Sequence, residues 1–289
     1  ILNAVNAGGD TDTIAAMAGA CLGACYGLNV LPVDSNRVVN IGEIEVSAKR
    51  IAAVSKKTST QTKTGEESKA AENVHAAILI DRSGSMNGLA SDVIGGYNEF
   101  IENQGNLQAT GEFVLTAVQF DDDEPFKVIH DAAPLSSVPP MTSADYQPRG
   151  LTPLFDALGT LIKTIEKRVA ASIVPEDQIV VVFSDGFENA SNEWTREALF
   201  QLITEKENEG WTFIFNGANQ DSYGTGAGLG IKGKNTANFS ADGRGVREAL
   251  RGFDRAMSEY RTASPSAKLS RKQNFYNDLK ESEEDMRNR

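Results

Sequence analysis

The chain has 289 residues, of which 40% are hydrophobic, 24% charged and 7% aromatic, enough for a buried core in one or two globular domains. Lys and Arg number 28 against 40 Asp and Glu, a net charge of -12, so the average surface repels a polyphosphate backbone and nucleic acid is excluded as an expected partner. The two cysteines, Cys21 and Cys25, are too few for a disulfide framework or a Cys-rich zinc site, and they fit a reducing, cytoplasmic setting.

The sequence opens on Ile1 rather than Met, which reads as a start that is processed or missing. Gly8-Gly9-Asp10-Thr11-Asp12-Thr13 leads into an Ala/Gly-rich helix. Its two carboxylates and hydroxyl sit at a helix N-terminus, and by spacing alone an N-cap facing the helix dipole is the preferred reading over a functional site. Ile14 to Leu31 is uncharged, with Gly19, Gly23 and Gly27 at small-xxx-small spacing. It is short for a membrane span and poor in Leu, Ile and Val, so a tightly packed soluble helix is expected there. The character changes at Ser47. Lys56 to Ser68 contains no apolar residue and cannot offset its ordering entropy, so residues 47–73 read as a flexible linker between a block at 1–46 and a body at 74–264.

Within the body, two hydrophobic periods alternate. Ala76 to Ile80 and Ile179 to Phe183 are continuous apolar runs, the mark of strands buried on both faces. Phe113 to Phe120 and Trp211 to Phe215 are further strands. Phe126 to Ile129 follows the acidic turn Asp121-Asp122-Asp123 as the second arm of a hairpin. Helical stripes fall on Leu89, Val93, Tyr97, Phe100 and Ile101, on Leu154, Leu158, Leu161, Ile165 and Val169, and on Val246, Leu250, Phe253, Met257 and Tyr260. The expectation is an α/β domain with a doubly wound, mostly parallel sheet and one antiparallel edge strand, preceded by a short N-terminal helical fragment. Pro265 marks its end, with residues 265–289 as a charged tail.

In such a sheet, ligands bind beyond the carboxyl ends of the strands. There the first run gives Asp81-Arg82-Ser83-Gly84-Ser85 and the later one Ser184-Asp185-Gly186, while Arg149-Gly150-Leu151-Thr152-Pro153 precedes a helix with Pro at its favoured first position. Asp81, Ser83 and Ser85 alternate, so on an extended loop they project to one side. Asp-x-Ser-x-Ser alone is a weak signal, because the same residue types cap turns; its position after a buried strand, with Thr152 and Asp185 at other loops of this rim, makes it informative. Three hydroxyls and two carboxylates suit a hard cation and leave it short of negative charge, open to an anionic oxygen from outside.

On these motifs, residues 74–262 resemble a von Willebrand factor type A (VWA) domain with its metal ion-dependent adhesion site (MIDAS). The resemblance implies that Ser83, Ser85 and Thr152 ligate a cation directly and that Asp81 and Asp185 act largely through water. It also implies Mg²⁺, with Mn²⁺ or Ca²⁺ as substitutes, and a protein partner whose carboxylate completes the shell. Members also occur in bacterial and phage-related cytosolic assemblies. Residues 4–32 resemble the C-terminal helix of the ADP-ribosylglycohydrolase (DraG-like) family, which implies Asp10, Asp12 and Thr13 as ligands of a two-magnesium centre. That family's helical body, with its other acidic motifs, would precede this point. The expectation is therefore a noncatalytic binding module fused to a hydrolase remnant. The alternative is part of a hydrolase that removes ADP-ribose from targets recruited by the VWA domain.

Other motifs lack context. Gly228 to Asn235 nearly matches a phosphate-binding loop but carries Asn235 where Ser or Thr is needed, and no strand leads into it. His75 and His130 adjoin strands without a nucleophile elbow and read as edge residues. Asp121 to Glu124 reads as a solvated turn, and Asn189-Ala190-Ser191 and Asn238-Phe239-Ser240 are sequons by pattern alone.

Overall fold

The computed structural model describes residues 73–172, 174–218 and 222–276. The chain divides into two units, residues 1–69 with 164–175 and residues 70–163 with 176–289, and the sheet belongs to the second. The expected N-terminal helix and linker, with Asp10, Asp12 and Thr13, fall outside the described residues.

The elements run β1 (Asn73–Asp81), a 3-10 turn (Gly84–Leu89), α1 (Ala90–Asn106), β2 (Phe113–Phe120), β3 (Lys127–Pro134), α2 (Leu154–Ala171), β4 (Glu176–Ser184), α3 (Arg196–Asn208), β5 (Thr212–Ala218), α4 (Ser222–Gly228), β6 (Thr236–Phe239), α5 (Gly243–Thr262) and α6 (Pro265–Gln273). The strands form one sheet in the order β3-β2-β1-β4-β5-β6. Only β3 is antiparallel, joined to β2 with register shifts. The chain moves outward from β1 to β2 and β3, then returns to β1's other side with β4, so the topological switch point lies between β1 and β4.

The apolar runs at β1 and β4 are buried on both faces. Val74, Ala76, Ile78 and Ile80 join a core that includes Val93, Tyr97 and Phe100 of α1 and Val246, Leu250, Phe253 and Met257 of α5. Helices α1 and α5 approach closely because Gly96 has no side chain: a Cβ there would meet Leu250 Cδ1 at 2.4 Å. The alternate residues Ala77, Leu79, Val180, Val182 and Phe213 are equally buried, with Leu154, Leu158 and Leu161 of α2 and Leu199 and Ile203 of α3. Side-chain caps fix three helix starts: Thr195 Oγ1 accepts from Ala198 N at the head of α3, Asp242 Oδ1 from Gly245 N at the head of α5, and Ser264 Oγ from Ala267 N at the head of α6.

The doubly wound sheet with an antiparallel edge is as the patterning predicts. Four details differ. β3 runs on to Pro134, because a half-exposed edge strand needs no apolar run. β6 has only four residues and carried no periodic signal. His75 lies on the central strand, fully buried, its ring bonded to Gln178 Oε1 (2.6 Å) and Thr116 Oγ1 (2.8 Å), whereas His130 does lie on the edge strand. Packing also continues past Pro265: Phe275 and Tyr276 are core residues, and the Tyr276 hydroxyl donates to Asn216 Oδ1. Two aromatics in a polar stretch carry no periodicity, yet they bury enough area to dock it.

Candidate metal centre

The carboxyl ends of β1 and β4 meet at the switch point, and the candidate residues gather there. Asp81 is the last residue of β1 and is fully buried. Its Oδ1 accepts from Ser83 N at 2.7 Å, which turns the chain tightly enough to start the 3-10 turn at Gly84. Its Oδ2 accepts from the hydroxyl of Ser184, the last residue of β4, at 2.5 Å. Ser83 Oγ and Ser85 Oγ are 3.0 Å apart, and Ser85 Oγ donates to Asp185 Oδ1 at 2.6 Å. Asp81, Ser83, Ser85 and Asp185 thus share one hydrogen-bonded cluster.

Thr152 enters from the loop before α2. Its N–H donates to Asn189 Oδ1 (2.9 Å), and its carbonyl accepts from Asn189 N (3.3 Å). Among the described residues its hydroxyl makes no hydrogen bond, although the residue is only 3% exposed. Gly186 faces it: a Cβ at that position would stand 2.8 Å from Thr152 Oγ1 and 3.4 Å from Asp81 Oδ2. The Thr152 hydroxyl and the Asp81 carboxylate therefore flank one small concavity that a side chain at position 186 would fill. All five residues read from the sequence as one site come together.

The electrostatics of this concavity are those of desolvated carboxylates. Burial raises Asp81 to about 6, against the opposing hydrogen bonds from Ser184 and Ser83, and the neighbouring Asp185 adds to the rise. Burial also raises Asp185, partly offset by Ser85. The Tyr146 hydroxyl, which donates to the Asp81 carbonyl at 2.5 Å, is pushed up by burial and then by the charges of Asp81 and Asp185. Among the described residues no group of three or more His, Cys, Asp or Glu is placed to hold a metal ion; a cation held here would meet two carboxylates and a set of hydroxyls. Such an all-oxygen set fits a hard divalent cation.

Several residues that shape the site carry no motif in the sequence. Arg82 is 3% exposed and pairs with Asp121, which is buried rather than part of a solvated turn. Burial alone would raise Asp121, but hydrogen bonds from Glu124 N, Arg82 and Arg149, with the Arg82 charge, outweigh it and hold the carboxyl below its ordinary value. Asn189, which matched only a sequon pattern, clamps Thr152. Glu188 and Ser191 bond the amide of Phe155 in the first turn of α2. A usable signal existed for Asp121: it follows an apolar strand directly, as Asp81 and Asp185 nearly do.

The ADP-ribosylglycohydrolase family pattern matches residues 1–61, beyond residue 47, where the composition turns to that of a linker. No curated protein matches the chain. Among solved structures, the pilus adhesin SpaC of Lactobacillus rhamnosus GG aligns at 10% identity over 68% of this chain and 31% of its own, with a TM-score of 0.52. The VWA domain of SpRpn10 aligns at 12% identity over 62% and 94%, TM-score 0.42. The mussel byssus proximal thread matrix protein 1 with a zinc-occupied MIDAS motif aligns at 15% identity over 62% and 46%, TM-score 0.41. The chain spans less than half the length of the adhesin and of the byssus protein. At 10% identity the likeness to the adhesin is one of fold, a mostly parallel α/β sheet flanked by helices.

Proposed function

We propose that this chain is a divalent-cation-dependent protein-binding module. In this reading Ser83, Ser85 and Thr152 hold the ion directly, Asp81 and Asp185 hold it largely through water, and an acidic side chain of a partner protein completes its shell. The convergence of these five oxygen-bearing side chains at the β1–β4 switch point carries the reading. When bound, the ion supplies a positive centre for a carboxylate. The protein's part is to hold its donors in fixed directions, with Asp81 locked by Ser83 N and Ser184 Oγ. Mg²⁺ is the proposed ion, with Mn²⁺ or Ca²⁺ as substitutes, since all three are hard cations that take oxygen donors. Cysteine usage supports a reducing compartment such as a bacterial cytoplasm.

The test is a thermal melt of the chain with Mg²⁺ and with chelator. At a Mg²⁺ concentration 100 times Kd, binding to the native state adds about 2.7 kcal/mol, a rise of about 5–11 °C for a domain of this size. Asp81→Ala and Thr152→Ala should abolish the difference. A shift that persists in both variants would refute the assignment.

A second reading is favoured by the family match over residues 1–61: the chain is part of an ADP-ribosylglycohydrolase, with residues 1–46 as its C-terminal fragment and the VWA-like unit recruiting the modified target. Asp10, Asp12 and Thr13 would then hold magnesium that activates water. Release of ADP-ribose from a modified protein by the full-length gene product, lost in Asp10→Ala, tests it.

A further inference from the structure

We propose that the acidic turn after β2 is a positioning element of the cation site, with Asp121 and Asp122 setting the distance between the loop that carries Ser83 and Ser85 and the loop that carries Thr152. The inference rests on the cation-binding reading above.

The two loops already touch through their backbones: Arg149 N donates to the Arg82 carbonyl (2.8 Å) and Gly84 N to the Gly150 carbonyl (3.0 Å). The turn grips both. Asp121 Oδ2 receives Arg82 Nε at 2.7 Å and Arg149 Nε at 3.1 Å, one guanidinium from each loop. Asp122 Oδ1 accepts from Leu151 N, the residue before Thr152, at 2.6 Å. Gly150 makes this approach possible. Its φ is +67°, and a Cβ there would lie 1.8 Å from Asp122 Oδ1, so the carboxylate occupies the space of the missing side chain. Neither aspartate belongs to the five-residue set. Each acts on a residue next to a member of it: Asp121 on the Arg82 side chain, between Asp81 and Ser83, and Asp122 on the Leu151 amide, beside Thr152.

The two aspartates differ in what else they do. Asp121 is buried and supports the fold. Asp122 is exposed, so removing its carboxylate strands no buried charge while still freeing the Leu151 amide and the space behind Gly150. The expected consequence is a loss of cation affinity with little loss of stability, a separation that a merely structural residue would not produce.

Calorimetric titration of Mg²⁺ into the full chain, with melting in chelator, tests this on the wild type, Asp122→Ala and Asp122→Asn. Loss of an outer partner costs about 10–100-fold in metal affinity, and that weakening is expected for Asp122→Ala, with its melting point in chelator near that of the wild type. Asp122→Asn keeps the carbonyl acceptor and should bind close to the wild type. Unchanged affinity in Asp122→Ala overturns the inference. So does Asp122→Asn binding as weakly as Asp122→Ala, or a fall in chelator melting point that tracks the affinity loss. A wild type that takes up no Mg²⁺ removes the cation reading together with this one, whereas a wild type that binds and an unaffected Asp122→Ala removes this one alone.

Discussion

Replacing Arg82 by Met tests how the charged core beneath the site is held. The Arg82 and Asp121 side chains are 4% and 0% exposed, and the guanidinium approaches Asp121 Oδ2 at 2.6 Å. Met fills much of the arginine stem's volume but leaves the Asp121 carboxylate with the Glu124 amide and one guanidinium, that of Arg149, at 3.1 Å and on a side chain 49% exposed. Breaking a buried pair from one side costs about 3–5 kcal/mol, and the surviving Arg149 contact argues for the lower end, about 3 kcal/mol. The lost contact to half-exposed Glu124 adds little. Urea unfolding followed by circular dichroism should therefore lose about 3 kcal/mol, or about 6–12 °C in a melt. The pH dependence has a definite sign. In the wild type the Asp121 carboxyl is held low, so its contribution is complete above the ordinary carboxylate range and is lost as pH falls through the lowered value. In Arg82→Met the cost of burial prevails, so the deficit should be largest near neutral pH and shrink in acid. Adding Asp121→Leu should recover most of the loss, because no buried charge then remains. A single-variant loss below about 1 kcal/mol, or a double variant no better than the single, would refute the reasoning.

The other predictions concern the frame. Phe275→Ala should cost about 3–5 kcal/mol, measured by urea unfolding, because Phe275 is 2% exposed and stacks on Phe253 with ring centroids 6.2 Å apart; a loss under about 1 kcal/mol would return the domain's end to Pro265. Asp242→Ala should cost about 1 kcal/mol in the same assay through the lost cap at Gly245 N, and Asp242→Asn should restore most of it. Gly186→Ala should weaken Mg²⁺ uptake in calorimetry, since its Cβ would press on the Thr152 hydroxyl; unchanged affinity would mean the concavity is not where the ion sits.

How much of this was legible in the sequence depends on what each residue's neighbours look like along the chain. The strands at β1 and β4 could be read because burial on two faces leaves an uninterrupted apolar run. The five candidate residues could be read because three short motifs each follow or precede such an element. β6 could not, since four residues at an edge bury too little to impose a pattern. Phe275 and Tyr276 were hidden for a different reason: their partners, Phe253, Tyr260 and Asn216, come from elements far back in the chain. Arg82 was passed over because a charged residue in a loop is usually solvated, and its burial is decided by a carboxylate 39 positions away.

Charge compensation separates Asp121 from Asp81 and Asp185. Three neighbouring strands, β2, β1 and β4, end at or beside an aspartate: Asp121, Asp81 and Asp185. Asp121 is answered by two guanidiniums and is held below its ordinary value despite being buried. Asp81 is bonded by an amide and a hydroxyl and Asp185 by the Ser85 hydroxyl, and burial raises both. Hydrogen bonds from neutral donors lower the cost of burying a negative charge without cancelling it. Two guanidiniums thus answer Asp121 at the end of β2, whereas burial holds Asp81 and Asp185 above their ordinary values, and a divalent cation beside those two would lower both. In the proposed reading the Arg82–Asp121–Arg149 cluster fixes the two loops from which the serines and Thr152 would present their oxygens to the ion.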